Sequence, residues 1–245
     1  WSQEWRIITR SGEERWLQGR GTPRRQPDGS TRWTTIVTDV TDIRLATVRQ
    51  IEALKKTVHA LGAVVEAKDP YTAGHEAKVA SICCKIAAEM GLPPCQVEGL
   101  ELAALIHDIG KIAVPTDILS KPTTLTRTEF ELIKCHSEIG AELVSGIEFE
   151  WPIAAMIRQH HERLDGSGYP DGLQGDEILL EARILAVADT FEAVSSHRPY
   201  RASLGVSRAI EILREGRGTL YDAQVVDACI SLAESGKLVE EVQST

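Results

Sequence analysis

The sequence predicts a mainly helical bundle preceded by a small antiparallel β segment. Three observations carry that reading. The first 40 residues alternate β-branched and aromatic side chains with glycine turn signals. Residues 41–66 then switch to helical period. From residue 70 onward, apolar residues recur at three- and four-residue spacing between helix caps and breakers. With 245 residues and 42% hydrophobic side chains, the chain can bury one sizeable core and a smaller appendage.

The β segment comes first. Trp5-Arg6-Ile7-Ile8-Thr9 is β-prone, and Ser11-Gly12 marks a turn. Arg15 to Gly21 is the second strand, and Pro27-Asp28-Gly29-Ser30 the second turn. Trp33 to Val40 is the third strand, rich in β-branched residues. Three such strands cannot bury both faces alone, so further chain upstream is expected; the sequence also opens on Trp1 rather than Met. In the next segment Ile51, Leu54, Val58, Leu61 and Val65 repeat like a coiled-coil seam, over about two heptads only. A dimerising signal helix and a helix packed on its own domain both fit that pattern.

The helical part is punctuated clearly. A helix from about His75 to Met90 stops at Gly91, with Pro93-Pro94 beyond. A second spans about Cys95–His107, and a loop is expected from Gly110 to Leu125. Thr126-Arg127-Thr128-Glu129 reads as a capping box opening the helix that carries His136. Pro152 lies in the first turn of the next helix, which ends at His160-His161. Further helices are expected at about 178–195, 204–214 and 223–236.

Charge and cysteine usage exclude some functions. The net charge of −9 argues against DNA or RNA as a partner. Residues 1–50 hold nine Arg and six acids, whereas the rest is strongly acidic, so a boundary is expected near residue 50. The five cysteines contain no CxxC pair, which predicts buried thiols in a reducing cytoplasm. No run of about 18 apolar residues suggests a membrane span.

The chemistry concentrates in histidines. A lone histidine is usually a satisfied core or surface residue, but the context here differs. His107-Asp108 and His160-His161 end two helices, His136 lies on a third, and Asp189 sits in the apolar run Ile184 to Ala188. A carboxylate in such a run is costly to bury without a charge partner or a metal. Adjacent helical residues point about 100° apart, so a His-His or His-Asp pair can serve two metals. A bridging Asp108 would set two ions about 3.5–4 Å apart, holding a hydroxide suited to attack on a phosphodiester. Lys111, one turn beyond, can neutralise charge building on a phosphate oxygen. Fe or Mn suits a mixed imidazole and carboxylate site, and zinc remains an alternative.

His107-Asp108-Ile109-Gly110-Lys111 resembles the HDxxK signature of HD phosphohydrolases. His160-His161-Glu162 through Gly168-Tyr169-Pro170 resembles the longer signature of the HD-GYP family. Asp69 to His75, Lys121-Pro122, His136 and Arg198-Pro199-Tyr200-Arg201 agree with it, and the likeness covers about residues 60–235. Residues 1–44 resemble the C-terminal part of a PAS/PAC sensor domain. The expected organisation is therefore 1–44 sensor, 45–66 helical linker with a coiled coil, and 67–245 catalytic domain.

The resemblance implies a metal-dependent cyclic di-GMP phosphodiesterase yielding linear pGpG, with GMP as the alternative end product. It implies two divalent ions held by His107, Asp108, His136, His160, His161 and Asp189, with Asp108 and Lys111 catalytic. It places Lys111, Arg198, Arg201, His75, Gly168 and Tyr169 around the substrate. A homodimer through residues 45–66 and a signalling partner at the Gly-Tyr-Pro loop are expected. Three positions depart from the family pattern. Tyr71 replaces a glutamate that helps hold a third metal in some members, so two ions are expected. Glu192 replaces the usual Asp, and His197 a common Asp. The alternatives are a non-catalytic cyclic di-GMP-binding module and a hydrolase of another cyclic dinucleotide.

Overall fold

A computed structural model describes residues 1–68, 74–121, 123–196 and 204–238. The chain divides into two compact units, Trp1–Lys56 and Thr57–Thr245. The first holds β1 (Ser2–Ile8), β2 (Glu14–Arg25) and β3 (Thr31–Asp39), an antiparallel sheet in the order β1-β2-β3. Trp5 faces Leu17 and Leu17 faces Asp39 across the register. The β3 strand is exposed along its length, which agrees with a sheet too small to cover its own faces. The Thr41 hydroxyl accepts the Trp16 amide at 2.8 Å, tying the start of the next helix to β2.

That helix, α1 (Thr41–Lys68), crosses from one unit into the other. Its predicted seam divides. Val58 and Val65 are buried in the second unit, whereas Leu54 and Leu61 are about half exposed at 56% and 48%. Among the described seam side chains, two of four therefore serve the packing of their own domain.

The second unit contains α2 (His75–Glu89), α3 (Pro94–Ile106), α4 (Thr116–Leu119), α5 (Arg127–Val144), α6 (Ile153–Gln159), α7 (Leu180–Ser195), α8 (Gly205–Glu215) and α9 (Ala223–Glu234). The expected 110–125 loop is more ordered than predicted. It contains a 3-10 turn, Ile109–Ala113, and the short α4. The capping box forms: the Thr126 hydroxyl accepts the Glu129 amide, and Glu129 accepts the Thr126 amide at 2.7 Å. Helix α7 packs against α2, α6, α8 and α9. Ile82, Leu100, Ile157, Leu185 and Phe191 are fully buried in the shared core, each contributing about 1.5–3 kcal/mol. This core fixes the helix ends that carry the histidines.

All five cysteines are thiols, as expected. Only Cys83 and Cys229 are buried; Cys95 and Cys135 are exposed, contrary to the expectation of buried thiols. Their helices, α3 and α5, turn those faces outward. Among the described residues, no helix is long and apolar enough to cross a membrane.

Candidate metal centre

Five helices deliver the polar core of the second unit. His75 begins α2, and His107-Asp108 follow α3 directly. His136 lies within α5, His160-His161 follow α6, and Asp189 is on α7. His75, His107, Asp108, His136 and His160 are each at most 4% exposed. The imidazoles form a continuous series. Ring centroids are 5.5 Å apart from His75 to His107, 5.1 Å from His107 to His160 and 5.3 Å from His160 to His136. His161 lies 5.0 Å from His136 and 4.0 Å from His160.

The orientation of these rings has a local cause. Nδ1 of His107 donates to the Ala104 carbonyl at 2.7 Å. Those of His136 and His160 donate to the Ile133 and Ile157 carbonyls, both at 2.6 Å. A carbonyl can only accept, so Nδ1 carries the proton and Nε2 presents its lone pair inward. In each case the acceptor lies three residues earlier, on the preceding helical turn. His136 and His160 bring their Nε2 atoms to 3.4 Å of one another.

His75 is held differently. Its Nδ1 donates to Glu192 Oε2 at 2.5 Å, and its Nε2 lies 3.2 Å from Asp189 Oδ1. Burial opposes charge on this ring, but the hydrogen bonds of Asp189 and Glu192 outweigh it and push its pKa up to about 10. Burial acts the other way on the opposite side of the cluster. It brings His160 down to about 3 and His161 well below the ordinary value, with the neighbouring imidazoles adding to the effect. Burial also lowers His136. Burial works to raise Asp108 and Asp189. Lys111 and His107 nevertheless hold Asp108 well below the carboxylate range, and His75 does the same for Asp189.

The donor atoms group into three overlapping sets: His75, His107 and Asp189; His107, Asp108 and His160; and His136, His160 and His161. Within each set they lie within 4.8 Å of one another. Imidazole nitrogens and carboxylate oxygens gathered at this spacing are the donor types that a divalent cation takes. Asp108 lies between the sets: its Oδ1 is 3.3 Å from His136 Nε2 and its Oδ2 is 3.6 Å from His107 Nε2. The six residues predicted as ligands thus come together, and His75, expected at the substrate, lies among them. Lys111 Nζ donates to Asp108 Oδ2 at 2.6 Å. Gly110 permits this turn to touch α5, since a Cβ there would lie 1.9 Å from the His136 carbonyl oxygen. Arg198, Arg201, Tyr71 and His197 lie outside the described residues.

The Gly-Tyr-Pro loop packs on this centre. The Tyr169 ring lies 4.8 Å from that of His161, and the Tyr169-Pro170 peptide is cis. Burial pushes the Tyr169 hydroxyl pKa up, keeping it protonated. A Cβ on Gly168 would lie 2.4 Å from the Arg163 nitrogen, so loop packing already requires glycine there. Sequence reasoning assigned no role to Glu162, which is 2% exposed. Its Oε1 accepts the amides of Asp171 and Gly172 at 2.7 and 3.1 Å, and its Oε2 that of Leu173 at 3.1 Å. Glu162 therefore anchors the loop just past Tyr169. A buried acid before a glycine-rich turn, where amides are left unpaired, is the signal that could have found it.

Residues 60–225 match the family model described as HD domain. The chain belongs to the HD-domain family. It is 41% identical over 189 residues to the cyclic di-GMP phosphodiesterase response regulator RpfG of Xanthomonas campestris, covering 76% of this chain and 50% of that protein. It is 40% identical over 171 residues to the 3'3'-cGAMP-specific phosphodiesterase 3 of Vibrio cholerae, covering 70% of this chain and 37% of that one. The cyclic di-GMP phosphodiesterase of Thermotoga maritima is 39% identical over 183 residues, 73% of this chain and 49% of its own length. This HD-domain chain spans half or less of these relatives. The fold matches that of Bd1817, a HDG"Y"P protein from Bdellovibrio bacteriovorus, with a TM-score of 0.59 and 20% identity over 75% of this chain and 64% of that one.

Proposed function

We propose that this chain carries an HD-GYP-type catalytic domain that hydrolyses cyclic di-GMP to linear pGpG and on to GMP. One observation carries the reading most: five imidazoles and two carboxylates converge in a buried cluster with Tyr169 packed against it. Relatives named as cyclic di-GMP phosphodiesterases support the substrate.

In this reading His75, His107 and Asp189 would hold one divalent ion, and His136, His160 and His161 would hold a second, with Asp108 within reach of both sets. Fe or Mn suits those donors. A bound pair supplies an activated water and charge neutralisation at phosphorus. The chain's own residues do the rest. Lys111, released from Asp108, meets charge that grows on a phosphate oxygen. Arg198 and Arg201 are assigned to the substrate phosphates, where guanidinium forks bind two oxygens at once. Tyr169 covers His161 and narrows access for water. Residues 1–44 act as the sensor part, passing a signal along α1. Leu54 and Leu61 offer a narrow stripe for a second copy in a homodimer.

A second reading follows from the 3'3'-cGAMP-specific relative: the preferred ring carries one adenine and one guanine. Manganese- or iron-loaded protein incubated with cyclic di-GMP, 3'3'-cGAMP and cyclic di-AMP, with products separated by chromatography, decides between them. Fastest loss of cyclic di-GMP, with pGpG appearing before GMP, is expected. Faster turnover of 3'3'-cGAMP would favour the second reading, and tight binding without any product would make the domain a binding module.

A further inference from the structure

We infer that Glu192 is a positioning residue that fixes the ring of His75 and so governs one of the two cation positions and not the other. The inference rests on the metal reading above and adds an unassigned residue to it.

The reason lies in where each histidine sits on its helix. His107, His136 and His160 all follow at least one turn of helix, and each uses the carbonyl three residues back to hold Nδ1. His75 is the first residue of α2, after Gly74 in a left-handed conformation, so no turn of α2 precedes it. Its ring must be held from elsewhere. Glu192 lies one turn after Asp189 on α7, so a single helix face offers His75 two carboxylates. Asp189 faces Nε2, the ligand side, and Glu192 takes Nδ1. The outer carboxylate is 3% exposed, so it meets His75 out of reach of solvent. An ionised carboxylate behind an imidazole fixes its tautomer and makes its far nitrogen a stronger donor than a backbone carbonyl does. The two positions therefore differ: the His75, His107 and Asp189 set contains a ring supported by a carboxylate, whereas His136 and His160 of the other set are supported by main chain.

The test is a titration of chelator-stripped protein with manganese(II), followed by calorimetry and metal analysis, with no substrate present. The natural chain is expected to take up two ions. Glu192→Ala should weaken one uptake by about 10- to 100-fold and leave the other within about twofold. Glu192→Gln, which keeps shape and an acceptor oxygen, should weaken the same uptake less, and it serves as the test if the alanine variant fails to fold. In a His75→Ala background, Glu192→Ala should cause no further loss, because the effect runs through that ring. Unchanged uptake in both Glu192 variants, equal weakening of both positions, or a full additional loss in the His75→Ala background would each overturn the inference while leaving the metal centre standing. A natural chain that binds no manganese would overturn the centre, and this inference with it.

Discussion

The two halves of the histidine cluster reach one end by different means. On one side His136 and His160 are held by their own helices, and burial keeps these rings and His161 neutral. On the other side His75 stands between Asp189 and Glu192, and the carboxylates hold a proton on it. A cation entering the first half meets lone pairs already free. In the second half it must displace a proton, and it gains negative charge in return. The difference comes from helix position. A histidine late in a helix has a carbonyl behind it, whereas one at the first residue borrows a side chain from a neighbouring helix.

The sharpest way to break this division is to remove what both halves share. His107→Ala/Asp108→Ala takes one donor from the second half and the carboxylate that lies between the two. Activity should fall by about three orders of magnitude or more, given that charge stabilisation by metals is worth several kcal/mol. A product assay with metal analysis checks it: both ions should be lost. Single-sided variants come next. His75→Ala and His161→Ala should each cost one ion of two, and equal loss of both from either would show that the halves are one site.

Smaller changes separate support from ligation. Gly110→Ala drives a Cβ into the His136 carbonyl and should destabilise the domain by about 1–3 kcal/mol, read by denaturant unfolding. Glu162→Gln leaves loop amides poorly paired and should cost about 1–3 kcal/mol in the same assay, with the metal count unchanged. The smallest effect belongs to the cap of α5. Thr126→Ala should cost about 1 kcal/mol and leave metal uptake intact. Within that cap, Lys121 and then Thr126 hold the Glu129 carboxyl down to about 2, from an ordinary value of 4.5. Its folded value is the lower one, so its contribution is complete above about pH 5 and fades as pH falls toward 2.

Much of this was legible in the sequence because it depends on local rules. Gly91 and Pro93-Pro94 stop α2 where the punctuation says, and Thr126 and Glu129 form the box their spacing announces. Asp189 was recognisable as a lone carboxylate at the end of an apolar run. What escaped is tertiary. Nothing near His75 in sequence reveals Glu192, since the partner is 117 residues away and acts through packing of α7 on α2. Val58 and Val65 fit a dimer seam and a domain core equally well by period, and only the fold assigns them to the core. Glu162 was overlooked because its partners are main-chain amides, which carry no side-chain signature.

The proposed reaction is hydrolysis of a cyclic dinucleotide at this cluster with the help of bound metal. The most direct measurement is the rate of cyclic di-GMP loss by chelator-stripped protein, before and after adding back manganese or ferrous iron. Negligible loss is expected when the protein is stripped, with restoration by the added ion and no restoration in the His107→Ala/Asp108→Ala variant. An equal rate in stripped and reloaded protein, or full activity in that variant, would contradict it.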